Sequence, residues 1–315
     1  MLATFRHTEF SAPELLARKT GPITVCVPAK EIATRVTTTI ERLLPLCQND
    51  LIDQLLVVDA DSADGTAQAA LRAGADVVSE SELLPELGPV QGKGDAMWRA
   101  LEAATGELVV YLDGDVGDVG PHYVTGLLGP LLTRPEETAF VKAFYRRPFE
   151  LDGHEFAEGG GRVTELTAKP LLELAVSPLG AFHQPLAGEL AARRDLLEAI
   201  PFLTSYGVEI AMLIEVWARC GLERMAQVDL GTKRNAHQGL DSLGGMAREV
   251  LEAVALTLGR HPRVTTGSIF PAPADIGRRL TTRPPMREAR GARASGDGGG
   301  SGRGADGGDA ARRRG

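Results

Sequence analysis

Two carboxylates, Asp113 and Asp115, stand one residue apart in the stretch VVYLDGDVGD (residues 109–118), directly after four apolar residues. At a separation of about 6 Å two such charges repel by roughly 3 kcal/mol at an effective dielectric of 20, so a positive group is expected between them. A hard divalent cation held through one or two carboxylates, with water and phosphate oxygens in its other positions, is the usual arrangement for Mg²⁺ or Mn²⁺. Gly114 carries no side chain and lets a ligand approach the backbone. The same residues also suit a polar turn closing a strand, and by themselves they leave that reading open.

Three further groups have the chemistry to serve such a site. Lys93 lies between glycines in QGKGDAMW, where a lysine can reach a diphosphate while backbone N–H groups cradle it. Glu209 sits among apolar neighbours in YGVEIAML, an expensive place for a carboxylate unless it is bonded or functional. In GGGRVTEL (159–166) the glycines expose backbone amides, Arg162 offers a planar fork and Thr164 a hydroxyl, all suited to a phosphate or carboxylate.

Positioning these groups requires a rigid frame, and the first half of the chain supplies the pattern for one. ITVCVPA (23–29), QLLVVDA (54–60), DVVS (76–79) and ELVVYLDGD (107–115) read as strands. Between them, TRVTTTIERLLPLC has helical spacing at Val36, Ile40, Leu43 and Leu44, GTAQAALRAGA is an alanine-rich helix ending at Gly74, and KGDAMWRALEAATG (93–106) is another ending in glycine. Continuous apolar strands separated by single helices predict an α/β fold, a Rossmann-like, mostly parallel sheet with helices on both faces. Ligands of such sheets bind at the carboxyl ends of the strands, where Asp59 and the Asp113/Asp115 pair fall. LGGMAREVLEAVALTL (243–258) predicts a helix with Met246, Val250, Leu251 and Val254 on one side, packed internally or between subunits.

Composition narrows the class. At 315 residues and 43% hydrophobic content the chain can bury a sizeable core. A formal charge of −8 argues against nucleic acid as a partner, since no basic stripe is present to displace phosphate counterions. Cys26, Cys47 and Cys220 have no metal-type spacing and are expected as reduced, mostly buried apolar side chains in a cytoplasmic protein. No apolar window is long enough to span a membrane, and MLATFRHTEF lacks the pattern of a signal peptide. From residue 285 onward, Gly, Arg, Ala and Asp dominate, and a solvated, disordered tail is expected.

The order of VPAKE, VVDADSADGT, QGKGDAMWRAL, YLDGD, KAFYRRPF, GGGRVTEL, QPLAGELAARRDLL, YGVEIAMLIE and VDLGTKRNAHQGLDSLG resembles the actinobacterial glucosyl-3-phosphoglycerate synthases, retaining glycosyltransferases of the GT-A fold. The resemblance covers about residues 22–260. It implies an N-terminal extension (1–21), a nucleotide-sugar-binding half (22–150), an acceptor-binding half (151–284) and the tail (285–315). It further implies metal-dependent transfer of glucose from a nucleotide diphosphate donor, UDP-glucose by family habit, to 3-phosphoglycerate, with a homodimer as the assembly. Pro28, Ala29, Glu31, Asp59, Lys93, Asp113 and Gly114 would then face the donor, and Gly161, Arg162, Val163 and Thr164 the acceptor. Lys93 and Glu209 would serve the chemistry, with Glu209 orienting the reactants. Asp113, Asp115 and His237 would hold Mg²⁺ or Mn²⁺. Ungapped matching puts Asn235 at the histidine's usual place, and His237, two residues on, shares a face with it on an extended segment. Arg146 and Arg147 are expected to be structural or to support the residues that touch the ligand.

Other readings stay open: a related GT-A enzyme with another acceptor or nucleotide sugar, or a non-catalytic nucleotide-sugar-binding module. A sugar nucleotidyltransferase normally has a glycine-rich, Arg-containing loop after the first strand, which VPAKEIATRV lacks.

Overall fold

The computed structural model describes residues 1–114, 119–151, 154–156, 160–233, 239–261 and 280–296. Its strands are β1 (Ala3–Arg6), β2 (Ile23–Ala29), β3 (Gln54–Asp59), β4 (Asp76–Ser79), β5 (Leu108–Tyr111), β6 (Phe140–Arg146), β7 (Phe149–Leu151), β8 (His154–Phe156), β9 (Leu190–Arg193), β10 (Phe202–Leu203), β11 (Met225–Thr232) and β12 (Thr282–Arg283). Its α-helices are α1 (Ala12–Arg18), α2 (Ala33–Gln48), α3 (Thr66–Ala73), α4 (Lys93–Ala103), α5 (Pro121–Thr133), α6 (Lys169–Ala175), α7 (Arg194–Leu197), α8 (Val208–Cys220), α9 (Leu240–Arg260) and α10 (Met286–Gly296). Eight strands form one sheet in the order β1-β11-β6-β9-β5-β2-β3-β4, parallel throughout except for β9, which runs antiparallel to both its neighbours.

The period of two along each strand divides the core into two layers. Cys26, Leu56, Val58, Val109 and Tyr111 pack on one face with α4, α6, α8 and α9. Val25, Val27, Leu55, Val57 and Val110 pack on the other with α2, α3 and α5. The expected sheet with helices on both faces is therefore present. Cys26 belongs to this core, and burial pushes its thiol far above the usual range; all three cysteines are free.

The order of strands fixes where a ligand can enter. From β2 the sequence proceeds one way through β3 and β4, while β5 is added on the other side of β2. That reversal opens a crevice between the carboxyl ends of β2 and β5, the switch point at which open α/β sheets bind ligands. The antiparallel β9 has a second effect. Leu190 pairs with Tyr111, so the residues that lead into β9 arrive at the carboxyl end of β5 and stand beside Asp113.

Several expectations need correction. The strand at 107–115 ends at Tyr111, so Asp113 lies beyond it, and Asp115 lies outside the described residues. Helix α4 stops at Ala103, because the turn at Gly106 is bound into the strand layer through its N–H to Thr24 Oγ1 (2.8 Å). On α2, Leu46 rather than Leu44 joins the core. On α9, Leu251 is 42% exposed, while Val250, Ala253, Val254 and Leu258 are buried in the layer shared with α8. The segment 1–21 is not an appendage: β1 pairs in parallel with β11 and completes the sheet.

The largest departure is at residue 285. The composition predicts a solvated tail from there, yet Met286–Gly296 forms α10, anchored by the fully buried Met286. Arg290 pairs with Glu102 and Glu198, and Arg293 with Glu86 and Glu102. A single buried apolar residue and arginines matched to carboxylates before and on α4 and at the end of α7 supply what the segment's low hydrophobicity does not. Among the described residues no helix is long and apolar enough to cross a membrane.

Candidate active site

A cavity of about 990 Å³ opens at the switch point. Its walls include Pro28 and Ala29 at the end of β2 and Glu31 after it, Ala60 and Asp61 after β3, Gly92 and Lys93 at the start of α4, Asp113 and Gly114 after β5, and Glu209 on α8. A second cavity, of about 100 Å³, lies elsewhere against Glu107, Leu131 and Arg193 and is too small for a nucleotide sugar.

Lys93, Asp113 and Glu209 meet at the cavity wall. The Lys93 ammonium donates to Asp113 Oδ1 at 2.8 Å and is 2.7 Å from Glu209 Oε1. Burial opposes its charge, but Asp113 and Glu209 outweigh burial and hold the ammonium well above the usual lysine range. Asp113 is gripped from the other side as well. Its Oδ2 accepts from the ammonium of Lys233 at 3.1 Å. Burial alone would raise the Asp113 carboxyl, and the two ammonium groups reverse that and hold it far below the carboxylate range.

Lys233 stands just past β11 and also donates to Glu189 Oε1 and to the Tyr145 hydroxyl (3.3 Å), with its ammonium 4.9 Å from the Tyr145 ring centre. Tyr145 donates its O–H to Glu189 Oε2 at 3.0 Å. Lys142, on β6 below this group, donates to the Ala187 carbonyl at 2.7 Å, and burial pushes its pKa down to about 8. Lys93, Lys142 and Lys233 thus surround Asp113, Glu189 and Glu209, and each carboxylate of this buried group has a cationic neighbour.

Lys233, Glu189, Tyr145 and Lys142 were not singled out by the sequence reading. Two of them carried a usable signal. Glu189 in QPLAGELAA is a carboxylate in an apolar strand, the same anomaly that drew attention to Glu209. Lys233 follows directly after the apolar strand VDLGT. Gly188 was likewise missed: a Cβ there would fall onto the Asp113 carboxylate.

The remaining expected donor residues have mixed outcomes. Asp59 is buried at the end of β3, with Oδ2 accepting from Ser62 N–H (2.9 Å) and a buried Oδ1 that has no partner among the described residues; its neighbours Ala60 and Asp61, not Asp59 itself, line the cavity. Pro28 and Ala29 end β2, and the Ala29 carbonyl is taken by Ala60 N–H (2.9 Å). Glu31, in the left-handed region at φ 52°, accepts from Ala63 N–H at 2.8 Å, which makes it a brace between two loops as well as a wall residue. The cradle expected at QGKG is not open. The N–H groups of Gly94 and Asp95 both point to the Thr204 carbonyl (3.0 and 3.3 Å), because α4 begins flush against the chain leaving β10. Gly114 also differs from its expected use. A Cβ there would come within 2.7 Å of Ile32 and 2.8 Å of the Pro28 carbonyl, so the absent side chain admits protein rather than ligand.

On the acceptor side Val163 lines the cavity, with Gly161 (φ 75°), Arg162 and the buried Thr164 in the adjoining turn. Arg147 lies over the Tyr145 ring at 5.4 Å and accepts Gly160 N–H on its carbonyl. His237, Asn235 and Asp115 fall outside the described residues. Among the described residues no three His, Cys, Asp or Glu side chains form a metal-binding group.

Known proteins share this chain's sequence pattern and fold. Residues 24–144 match the model of glycosyl transferase family 2. The chain is 41% identical to the glucosyl-3-phosphoglycerate synthase of Mycolicibacterium smegmatis, over 81% of this chain and 84% of that protein. It is 42% identical to that of Mycobacterium tuberculosis, over 81% and 80%. Among solved structures it superposes on mannosyl-3-phosphoglycerate synthase from Rubrobacter xylanophilus with a TM-score of 0.81 at 41% identity, covering 91% of this chain and 97% of that one. The Mycobacterium tuberculosis glucosyl-3-phosphoglycerate synthase, solved with Mn²⁺, uridine-diphosphate-glucose and phosphoglyceric acid, superposes with a TM-score of 0.77 at 38% identity over 92% and 99%. With its fold, its switch-point cavity and this extent of identity, the chain belongs to the glucosyl-3-phosphoglycerate synthase family of glycosyltransferases.

Proposed function

We propose that the chain transfers glucose from UDP-glucose to the hydroxyl of 3-phosphoglycerate, with retention of configuration, in a cytoplasmic homodimer. The observation that carries the reading is the Lys93 ammonium held between Asp113 and Glu209 on the wall of a cavity large enough for a nucleotide sugar. The donor's base and ribose would lie over Pro28 and Ala29, next to Asp59, whose Oδ1 has no partner among the described residues and would accept a base or ribose proton. Lys93 would stabilise the departing diphosphate, where negative charge grows during transfer. Glu209 would orient the sugar and the acceptor hydroxyl, and the leaving phosphate oxygen would take the acceptor's proton. The turn at Gly161–Thr164 would receive the acceptor's anionic groups.

In this reading Asp113, Asp115 and His237 would hold a divalent ion, with the DGD stretch serving as a DxD motif. Since both Asp113 oxygens are bonded to lysines, the closer grip would fall to Asp115 and His237, which lie outside the described residues. When bound, Mg²⁺ or Mn²⁺ supplies charge neutralisation at the diphosphate. The likeness to mannosyl-3-phosphoglycerate synthase favours one second reading, the same acceptor with another nucleotide sugar. Product analysis decides between them. Incubation with radiolabelled UDP-glucose and 3-phosphoglycerate is expected to give labelled glucosyl-3-phosphoglycerate. Transfer only from a different nucleotide sugar supports the second reading, and transfer only to another acceptor overturns both.

A further inference from the structure

The C-terminal segment beginning at Leu280 returns to the first turn of α4, where Lys93 is seated. Thr204 N–H donates to the Thr281 carbonyl at 3.1 Å, and β12 pairs antiparallel with β10, Phe202 opposite Arg283 and Leu203 opposite Thr282. Arg283 then reaches across to Asp95, two residues after Lys93. Its Nε lies 2.8 Å from Asp95 Oδ1 and its Nη2 2.8 Å from Oδ2, a bidentate fork. Its Nη1 donates to the Leu87 carbonyl at 3.0 Å, and its guanidinium lies 5.6 Å from the centre of the Trp98 ring, whose indole N–H donates to the Pro284 carbonyl at 2.8 Å.

Asp95 is fully buried and needs this partner. The other cation near it, Arg99, is 3.4 Å away and directs its remaining N–H groups to the carbonyls of Leu83, Leu84 and Gly88. Asp95 Oδ2 in turn accepts Gln91 N–H at 3.0 Å, and the Gln91 side chain is bonded by the Thr281 hydroxyl. The backbone on both sides of Lys93, at residues 91 and 95, is thereby tied to one C-terminal strand. A lysine side chain is long and loosely jointed, so the place of its ammonium depends on where its backbone is held.

We propose that Arg283 is a positioning residue for Lys93: through Asp95 it fixes the start of α4 so that the ammonium reaches the donor's diphosphate. The proposal rests on the donor-site reading of Lys93 given above. Initial rates with UDP-glucose varied at saturating 3-phosphoglycerate, and the converse, are measured for wild type, Arg283→Ala, Arg283→Lys, Lys93→Ala and the double variant, with a melting temperature for each. Arg283→Ala is expected to raise the donor KM about tenfold while the acceptor KM stays within twofold. Arg283→Lys, which keeps the charge and loses the fork, is expected to fall between. The double variant is expected to match Lys93→Ala within twofold, because the effect of Arg283 passes through Lys93. A lowered melting temperature with unchanged donor KM, or losses that multiply in the double variant, overturns the proposal while leaving Lys93 its donor role. A Lys93→Ala variant with both wild-type donor KM and wild-type kcat refutes the donor role itself and the proposal with it. Should Arg283→Ala fail to fold, Arg283→Lys alone and combined with Lys93→Ala carries the same comparison.

Discussion

Asp113 is bonded on both oxygens, but its two lysines are not equivalent. The Lys233 side chain is 1% exposed and locked by Glu189 and Tyr145, whereas Lys93 is 24% exposed on the cavity wall. Lys93 can therefore swing toward a diphosphate without leaving Asp113 unpaired, since Lys233 remains. Glu80, another buried carboxylate on the same wall, has no such partner among the described residues. Burial, and then the charges of Asp61, Asp95 and Asp59, raise Glu80 from 4.5 to about 7, with Lys30 acting weakly the other way. A carboxyl raised on folding contributes stability that is fully present below its unfolded value and is lost as pH rises through about 7. Glu80→Gln, neutral at every pH, removes that loss. Its melting temperature is expected to exceed that of wild type by about 2–4 °C at pH 8, the shift that ~1 kcal/mol gives in a large domain. The two are expected to converge near pH 4.5, and parallel melting curves from pH 4.5 to 8 would contradict the assignment.

At the scale of elements, β9 does more for the site than its four residues suggest. A parallel strand in its place would bring its carboxyl end to the cavity, whereas the antiparallel β9 brings its leading residues, Gly188 and Glu189. Glu189 holds Lys233, and Gly188 leaves the space that the Asp113 carboxylate fills. Gly188→Ala is expected to displace Asp113 and lower kcat/KM about 100-fold, the scale of loss that a misplacement of about 1 Å produces. Steady-state kinetics check this, and wild-type turnover in that variant would show that Asp113 tolerates the shift. The glycines around Lys93 work in the same way. They seat α4 against the chain after β10, so the stretch that reads as an anion cradle is largely a packing contact.

Across the whole molecule, the sheet and both core layers run through the boundary expected at residue 150. Strands β2 to β5 come from one side of it and β9 and β11 from the other, and β1 and α10 bring the first and last described elements onto the same frame. Elements that share one sheet and two cores are expected to melt together. Calorimetry of the full chain should give one transition, and two separated peaks would show that the halves fold independently. Much of this frame was legible in advance, because β2, β3 and β4 are short apolar runs whose period and flanking turns are local properties. The α10 helix was not, since its stability comes from Glu86, Glu102 and Glu198, which are more than 80 residues away in sequence.

The sequence by itself determined the class of fold, the carboxyl-edge location of Asp59 and Asp113, and the anomaly of Glu209, because strand period, turn chemistry and the cost of an unpaired buried charge all act within a few residues. Only the tertiary structure decided which cations meet which carboxylates. Lys93 reaches Asp113 across 20 residues, Lys233 across 120 and Arg283 reaches Asp95 across 188. Pairings at such separations are set by the order and direction of strands, and no local pattern encodes them.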